Sequence, residues 1–383
     1  MFQRRFILSI ILVCVLNSIK SQPLLWNIKN INGIKENKSS KLYKQIIQKA
    51  DKFVDETPIN ITDKSHQFVS DTHYYVSIGT YWWPDSTNIN GKYIRRDGYI
   101  NPETKNYDRV KLNELAERLK YLSLAYYLDH GNKYYTEFVE LLRVWFCDNS
   151  TYMYPNFEYA QVVPGYNGNR GRAAGLIEAR SFIDILESVR VIELVKEIDW
   201  GTLSTIKWWF FEFSKWMMES DIGIEEDRAL NNQGTAYDLI LLNIAQFTNQ
   251  KELANKITDN FYQRRLYTQI AEDGSMPQEL KRTNSLSYSI LNIQFIIDFC
   301  VIQHNLGQSY YNLHKGIIDK AISFLQKHLN DDAKWPYEQL TSIKYEKKRL
   351  GHEMVRLKQI DRDGENHVDD LVKSFLSVDE MLR

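Results

Sequence analysis

Cysteine is scarce in this 383-residue chain, which holds three. Cys14 falls in an N-terminal apolar run, and Cys147 and Cys300 sit on apolar helical stretches, so the pattern gives buried thiols rather than a disulfide or a cysteine-held metal. Neither sign of charge prevails: the net charge is −1 and no long basic run occurs, which removes the electrostatic footprint of a nucleic-acid binder. Beyond residue 16 no apolar run approaches membrane-spanning length, so no stable membrane insertion is expected after removal of the N-terminal segment. Pro- or Ser-rich linkers are missing, and so is the fixed-period repeat of a solenoid. Strand signals are few, with residues 73–80 the best of them.

Aromatic residues, by contrast, are plentiful: 24 Tyr, 17 Phe and 9 Trp make up 13% of the chain. Such rings fill helical cores, and they also match the apolar faces of sugars in a carbohydrate groove. Composition does not choose between these uses. The N-terminus carries Arg4 and Arg5, then an apolar run over residues 6–16, then a polar stretch with a cleavage point after Ser21. That is the layout of a secretory signal peptide, and it implies a periplasmic or secreted protein.

From residue 108 onward the apolar spacing is helical. Leu112, Leu115, Leu119, Leu122 and Tyr126 mark one face of a helix that ends near His130 and Gly131. Phe138, Leu141, Leu142 and Trp145 mark the next. Phe182, Leu186 and Val189 give a third, and Leu203, Ile206, Phe210, Phe213 and Met217 a fourth. A helix follows Asn231 and Asn232 and runs through Phe247, residues 289–303 are apolar nearly all round, and Ile318 to Leu329 give another. Short loops between such helices predict an all-α fold of antiparallel hairpins. The expected organisation is a signal peptide over residues 1–21, a lead-in over 22–71 with a helix at 41–54, and one helical domain over 72–383. The charged tail after Ile343 is a surface helix or partly unstructured.

Four segments carry chemistry, each with a structural alternative. Tyr81, Trp82, Trp83, Pro84 and Asp85 precede Arg95, Arg96 and Asp97; the rings form a sugar wall or tuck into the core, and an arginine fork suits a carboxylate. Arg172 and Arg180 flank Glu178 in a stretch that binds substrate or forms structural ion pairs. Asn231, Asn232, Gln233, Gly234 and Tyr237 open a helix; one Asn is explained as its N-cap and the second is left over. Arg282 and Tyr288 stand six residues apart at the mouth of the buried helix, where the tyrosine is a packed ring or a reacting group.

Taken in order, the segments at 81–85, 93–103, 171–180, 231–238 and 279–288 resemble the alginate lyase family of helical polysaccharide lyases. The resemblance spans roughly residues 73–340. It implies an incomplete (α/α) toroid with a substrate cleft across its mouth. It also implies β-elimination on a 1,4-linked polyuronate, of alginate or glucuronan type, without an obligatory metal or organic cofactor.

In that chemistry a uronate's carboxylate opposes loss of the neighbouring C5 proton. Donors that hold the carboxylate stabilise the charge developing in the transition state. By resemblance these are Asn232, with Asn231, and Arg282, while Tyr288 takes the C5 proton and returns one to O4. A close arginine is expected to favour ionised Tyr288. Where the family commonly has His, this chain has Gln233, which cannot exchange a proton at neutral pH. Proton transfer then falls to Tyr288 alone, or His73 enters the site. The expected substrate contacts are Asn231, Tyr81, Trp82, Trp83, Arg95, Arg96, Arg172, Arg180, His73 and Tyr237. Two other readings are a silent polysaccharide binder on the same fold, and a glycoside hydrolase, which needs two opposed carboxylates among Glu178, Glu279 and Asp238.

Overall fold

Leu112, Leu115, Leu119, Leu122 and Tyr126 all come to lie buried along one helix, and the chain repeats that solution around a ring. The computed structural model describes residues 22–64, 68–88, 91–329, 334–361 and 377–383, so the expected signal peptide over 1–21 lies outside the described residues. The lead-in holds α1 (Ile28–Glu36) and α2 (Lys41–Val54), the second of them where the spacing puts it. Then come α3 (Asp108–Asp129) and α4 (Asn132–Phe146), joined by a tight turn in which His130 adopts left-handed backbone at φ 57°. They are followed by α5 (Ser181–Val195), α6 (Trp200–Glu219), α7 (Asp221–Asp227), α8 (Asn232–Phe247) and α9 (Lys251–Phe261). The ring continues with α10 (Ser285–Asn305), α11 (Tyr310–Leu329) and α12 (Ile343–Ile360), and α13 (Val378–Leu382) ends it.

Helix α3 packs on α2, α4 and α5; α8 packs on α5, α6, α9 and α10; and α10 packs on α11 and α12. Neighbouring hairpins bury each other's apolar faces in this way, and the result is the incomplete (α/α) toroid. The charged segment after Ile343 is helical as α12. Cys300 is fully buried and Cys147 partly so, both as free thiols. One expectation needs correcting. Helix α10 is long and apolar enough to cross a membrane by length and composition, but 78% of its apolar window is buried inside the protein, where it forms the core.

Residues 27–30 are stitched to residues 381–382. The Asn27 N–H donates to the Leu382 carbonyl at 2.7 Å, and Asn30 Nδ2 donates to the Met381 carbonyl at 2.9 Å. The backbone N–H groups of Leu24, Leu25 and Trp26 donate to the buried Glu187 carboxylate at 3.1, 2.9 and 2.9 Å. Those three side chains belong to the same apolar core as α3 and α5.

Among the described residues four short strands brace the cleft side, and the spacing shows one of them. Strand β1 (Val76–Ile78) lies within the expected 73–80 stretch and pairs in parallel with β4 (Tyr159–Val162). β2 (Trp82–Trp83) and β3 (Ile94–Arg95) form an antiparallel ribbon with Trp82 opposite Arg95 and Trp83 opposite Ile94. Two-residue strands carry no periodic signal, so the sequence reads them as loop.

Candidate active site

The β2–β3 ribbon decides which members of each adjacent pair reach the cleft. Successive side chains on a strand face opposite ways. Trp82 and Arg95, which oppose each other in register, both line the cleft. Trp83 and Arg96 do not: the Trp83 indole N–H donates to the Tyr99 carbonyl at 2.9 Å, and Arg96 lies over the Trp83 ring at 5.3 Å. The expectation of four substrate contacts here is thus halved.

Further along the chain, Gly171 and Gly175 let the backbone pass against β4. A Cβ on Gly171 would come within 2.7 Å of the Ala160 amide nitrogen and carbonyl oxygen, and one on Gly175 within 2.6 Å of that oxygen. This close approach carries Arg172 and Arg180 to the cleft. Arg172 lies 6.0 Å from the Trp82 ring. Burial and the nearby Arg95 guanidinium both pull its proton affinity down, so Arg172 is a cation held without a full complement of acidic partners.

At the start of α8 the two asparagines divide their duties. Asn231 is the N-cap, its side chain accepting from the Gln233 N–H at 3.2 Å, and it does not line the cleft. Asn232 and Gln233 do line it. The Asn232 backbone N–H and Nδ2 both donate to the buried Glu279 carboxyl, at 2.6 and 2.8 Å, and Asn232 Oδ1 has no partner among the described residues. One hydrogen of the Asn232 amide is thereby used and the other remains for a ligand. Burial pushes Glu279 up to about 7 against the pull of Asn232 and Arg282. Gly234 is required next, because a Cβ there would stand 2.1 Å from the Ala229 carbonyl oxygen.

Arg282 and Tyr288 meet although six residues separate them. The Arg282 guanidinium lies 3.9 Å from the centre of the Tyr288 ring and is held there by Asp97, with Nε 3.1 Å and Nη2 2.9 Å from its oxygens. Burial alone would raise the Asp97 carboxyl, but Arg282, Arg95 and Thr283 outweigh it and hold Asp97 well below the usual carboxylate range. The Tyr288 hydroxyl shares a hydrogen bond of 2.6 Å with Tyr81. Burial and Tyr81 raise the Tyr288 phenol well above its ordinary value, and Arg282 offsets only part of this. The expected arginine-driven lowering does not prevail, and resting Tyr288 is a neutral phenol.

The structure brings together Tyr81, Trp82, Arg95, Arg172, Arg180, Asn232, Gln233, Arg282 and Tyr288 around one open cleft. His73 is elsewhere: its Nδ1 lies 2.6 Å from the Tyr152 carbonyl and its ring stacks on Tyr154, so it does not replace the missing histidine. Tyr237 is also elsewhere, a core residue whose hydroxyl donates to the Met217 carbonyl at 3.0 Å. The three carboxyls considered for hydrolysis are all engaged. Glu178 accepts from Tyr75, Ser77 and Gln161, Asp238 holds Arg265, and Glu279 holds Asn232. Among the described residues no group of three or more His, Cys, Asp or Glu side chains is placed to hold a metal ion.

Sequence reasoning gave no role to Arg109, Asn113, Gln161 and Arg349, which also line the cleft. Arg109 and Asn113 share one face at the start of α3, an i,i+4 pair the spacing could have revealed. Gln161 carries left-handed backbone at φ 50°, which no local sequence cue marks.

A family model described as alginate lyase matches residues 60–335. A crystal structure described as an alginate lyase from Bacteroides ovatus shares 34% identity with this chain and superposes with a TM-score of 0.84, covering 93% of this chain and 96% of that one. Alginate lyase A1-III from Sphingomonas species A1 is more distant, at 13% identity and a TM-score of 0.46 over 93% of this chain and 82% of that one. Among curated proteins none matches.

Proposed function

The chain belongs to the alginate lyase family and is a polysaccharide lyase, and on that premise we propose that it cleaves alginate at mannuronate residues by β-elimination, with Tyr288 as both base and acid. The observation that carries this reading is the Tyr81–Tyr288 hydroxyl pair beneath Arg282, in a cleft lined by guanidinium groups. Arg172 and Arg282, with the free hydrogen of the Asn232 amide, supply donors for the uronate carboxylate and stabilise charge that develops as the C5 proton leaves.

The step balances within the sugar and one tyrosine. The Tyr288 phenolate, the minor form that Arg282 favours, takes the C5 proton. The C5–H electron pair becomes the C4–C5 double bond, the C4–O4 bond breaks, and the new phenol gives its proton to O4. Tyr288 ends as the phenolate with which it began. A single group that removes the C5 proton and protonates O4 needs both on one face of the ring. Mannuronate and glucuronate meet that condition, and guluronate, the C5 epimer of mannuronate, does not. Gln233 supplies no second base for the opposite face, and His73 stands away from the cleft.

The mass of the released oligomers tests the reaction class. Elimination from polymannuronate gives fragments with a non-reducing end lighter by one water than those of hydrolysis; fragments of hydrolytic mass would overturn the proposal. Export to the periplasm or the medium belongs to the same reading, supported by the basic, apolar and polar order of residues 1–21.

A further inference from the structure

Gln233 stands in the cleft wall with one end of its amide against both carboxyl oxygens of Glu226, 3.2 Å from Oε2 and closer to Oε1. The other end faces donors only. Glu226 sits on α7 and is 3% exposed. The charged groups bearing on it are Arg172 at the entry to the 173–180 segment, Glu225 beside it on α7, and Arg265 after α9, whose charge Asp238 already takes. From α6, which also packs on α7, no charged group bears on it among the described residues.

We propose that Glu226 is a positioning residue that sets which end of the Gln233 amide meets the substrate. With a proton on Glu226, its O–H donates to the Gln233 carbonyl oxygen and the Gln233 NH₂ turns to a uronate carboxylate in the cleft. With Glu226 ionised, the amide turns over, donates to Glu226, and presents its carbonyl oxygen to the cleft, where it repels a carboxylate. With Glu226 ionised and the cleft empty, the turned-over amide satisfies the groups at both ends. A bound carboxylate occupies the donors and reverses that preference, so binding a uronate and holding the Glu226 proton are linked. Burial raises this carboxyl to about 8, which places the change within reach of a pH profile.

The inference rests on the polyuronate reading of the cleft and adds a pH-dependent binding term to it. The test is KM for polymannuronate from pH 6 to pH 10 in wild type, Glu226→Gln and Glu226→Ala. Wild-type KM should be level below about pH 8 and rise by up to about tenfold per unit above it. Glu226→Gln should keep the low KM and remove the rise, because its amide donates to Gln233 at every pH. Glu226→Ala should show a raised, level KM. A Glu226→Gln enzyme whose KM still climbs as in wild type overturns the proposal. Gln233→Ala is the second arm: its KM should be level whether or not Glu226 is present, and a surviving rise again overturns the linkage. If the protein binds polymannuronate without cleaving it, calorimetry in two buffers of different ionisation heat reads the same proton uptake. Uptake absent in wild type sinks this inference alone, whereas absence of any polyuronate binding sinks the functional reading beneath it.

Discussion

The hydroxyl oxygens of Tyr81 and Tyr288 lie 2.6 Å apart, although 207 residues separate them. One comes from the rim of a two-strand ribbon and the other from the first turn of the buried helix α10. Removing either hydroxyl should act differently. Tyr288→Phe should abolish turnover and leave folding and polymer binding near wild type, because only the proton-carrying oxygen is lost. Tyr81→Phe should retain activity lowered by roughly 10-fold, because the Tyr288 hydroxyl loses the hydrogen bond that orients it. Steady-state kinetics beside a binding isotherm checks both, and a Tyr288→Phe enzyme with wild-type kcat would remove Tyr288 from the reaction.

The raised Tyr288 phenol has a kinetic consequence. The reactive phenolate is a minor species at neutral pH, and its fraction grows by about tenfold per pH unit below the phenol's own pKa. At saturating polymannuronate, kcat should therefore climb with pH from 6 to 9. Saturation separates this rise from any loss of affinity. A kcat that is level across the range would show that no phenolate is needed.

How much of this was legible beforehand depends on the kind of structure involved. Helix α8 begins and ends where Asn231 and the apolar spacing through Phe247 place it, because capping and periodicity are local. Tyr288, Arg282, Asn232 and Arg172 reach the cleft as the family resemblance implies. Trp83, Arg96, His73 and Tyr237 do not, for a different reason in each setting. The first two turn away through the alternation of two-residue strands, and the last two bond to carbonyls contributed by distant segments. Pairings across such separations leave no trace in local spacing.

The alternation of the ribbon is testable in itself. Trp82→Ala should raise KM for polymannuronate by about tenfold, as expected for a lost sugar-stacking platform of roughly 1–2 kcal/mol. Trp83→Ala should leave KM within about twofold and lower the melting temperature instead, since that ring holds the Tyr99 carbonyl and Arg96. Equal effects on KM would mean that both rings meet substrate.

Glu187 offers a stability test tied to export. Its buried carboxylate accepts three successive backbone N–H groups from Leu24, Leu25 and Trp26 and pairs with buried Arg190 at 2.6 Å. Glu187→Ala leaves those donors and a buried guanidinium unpaired, and should cost about 3–5 kcal/mol in denaturant unfolding. Cleavage after Ser21 leaves this pinned segment intact, so N-terminal sequencing of protein recovered outside the cytoplasm should read from Gln22. Retention of Met1 on a cytoplasmic species would contradict export.

The most direct test of the elimination at mannuronate is the rate at which an ultraviolet-absorbing C4–C5 double bond appears. Wild type and Tyr288→Phe should be assayed in parallel on polymannuronate and polyguluronate. The prediction is a steady rise for wild type on polymannuronate, little or none on polyguluronate, and none for Tyr288→Phe on either. Equal rates on the two polymers, or an undiminished rate in Tyr288→Phe, would contradict a single tyrosine working from one face of the sugar.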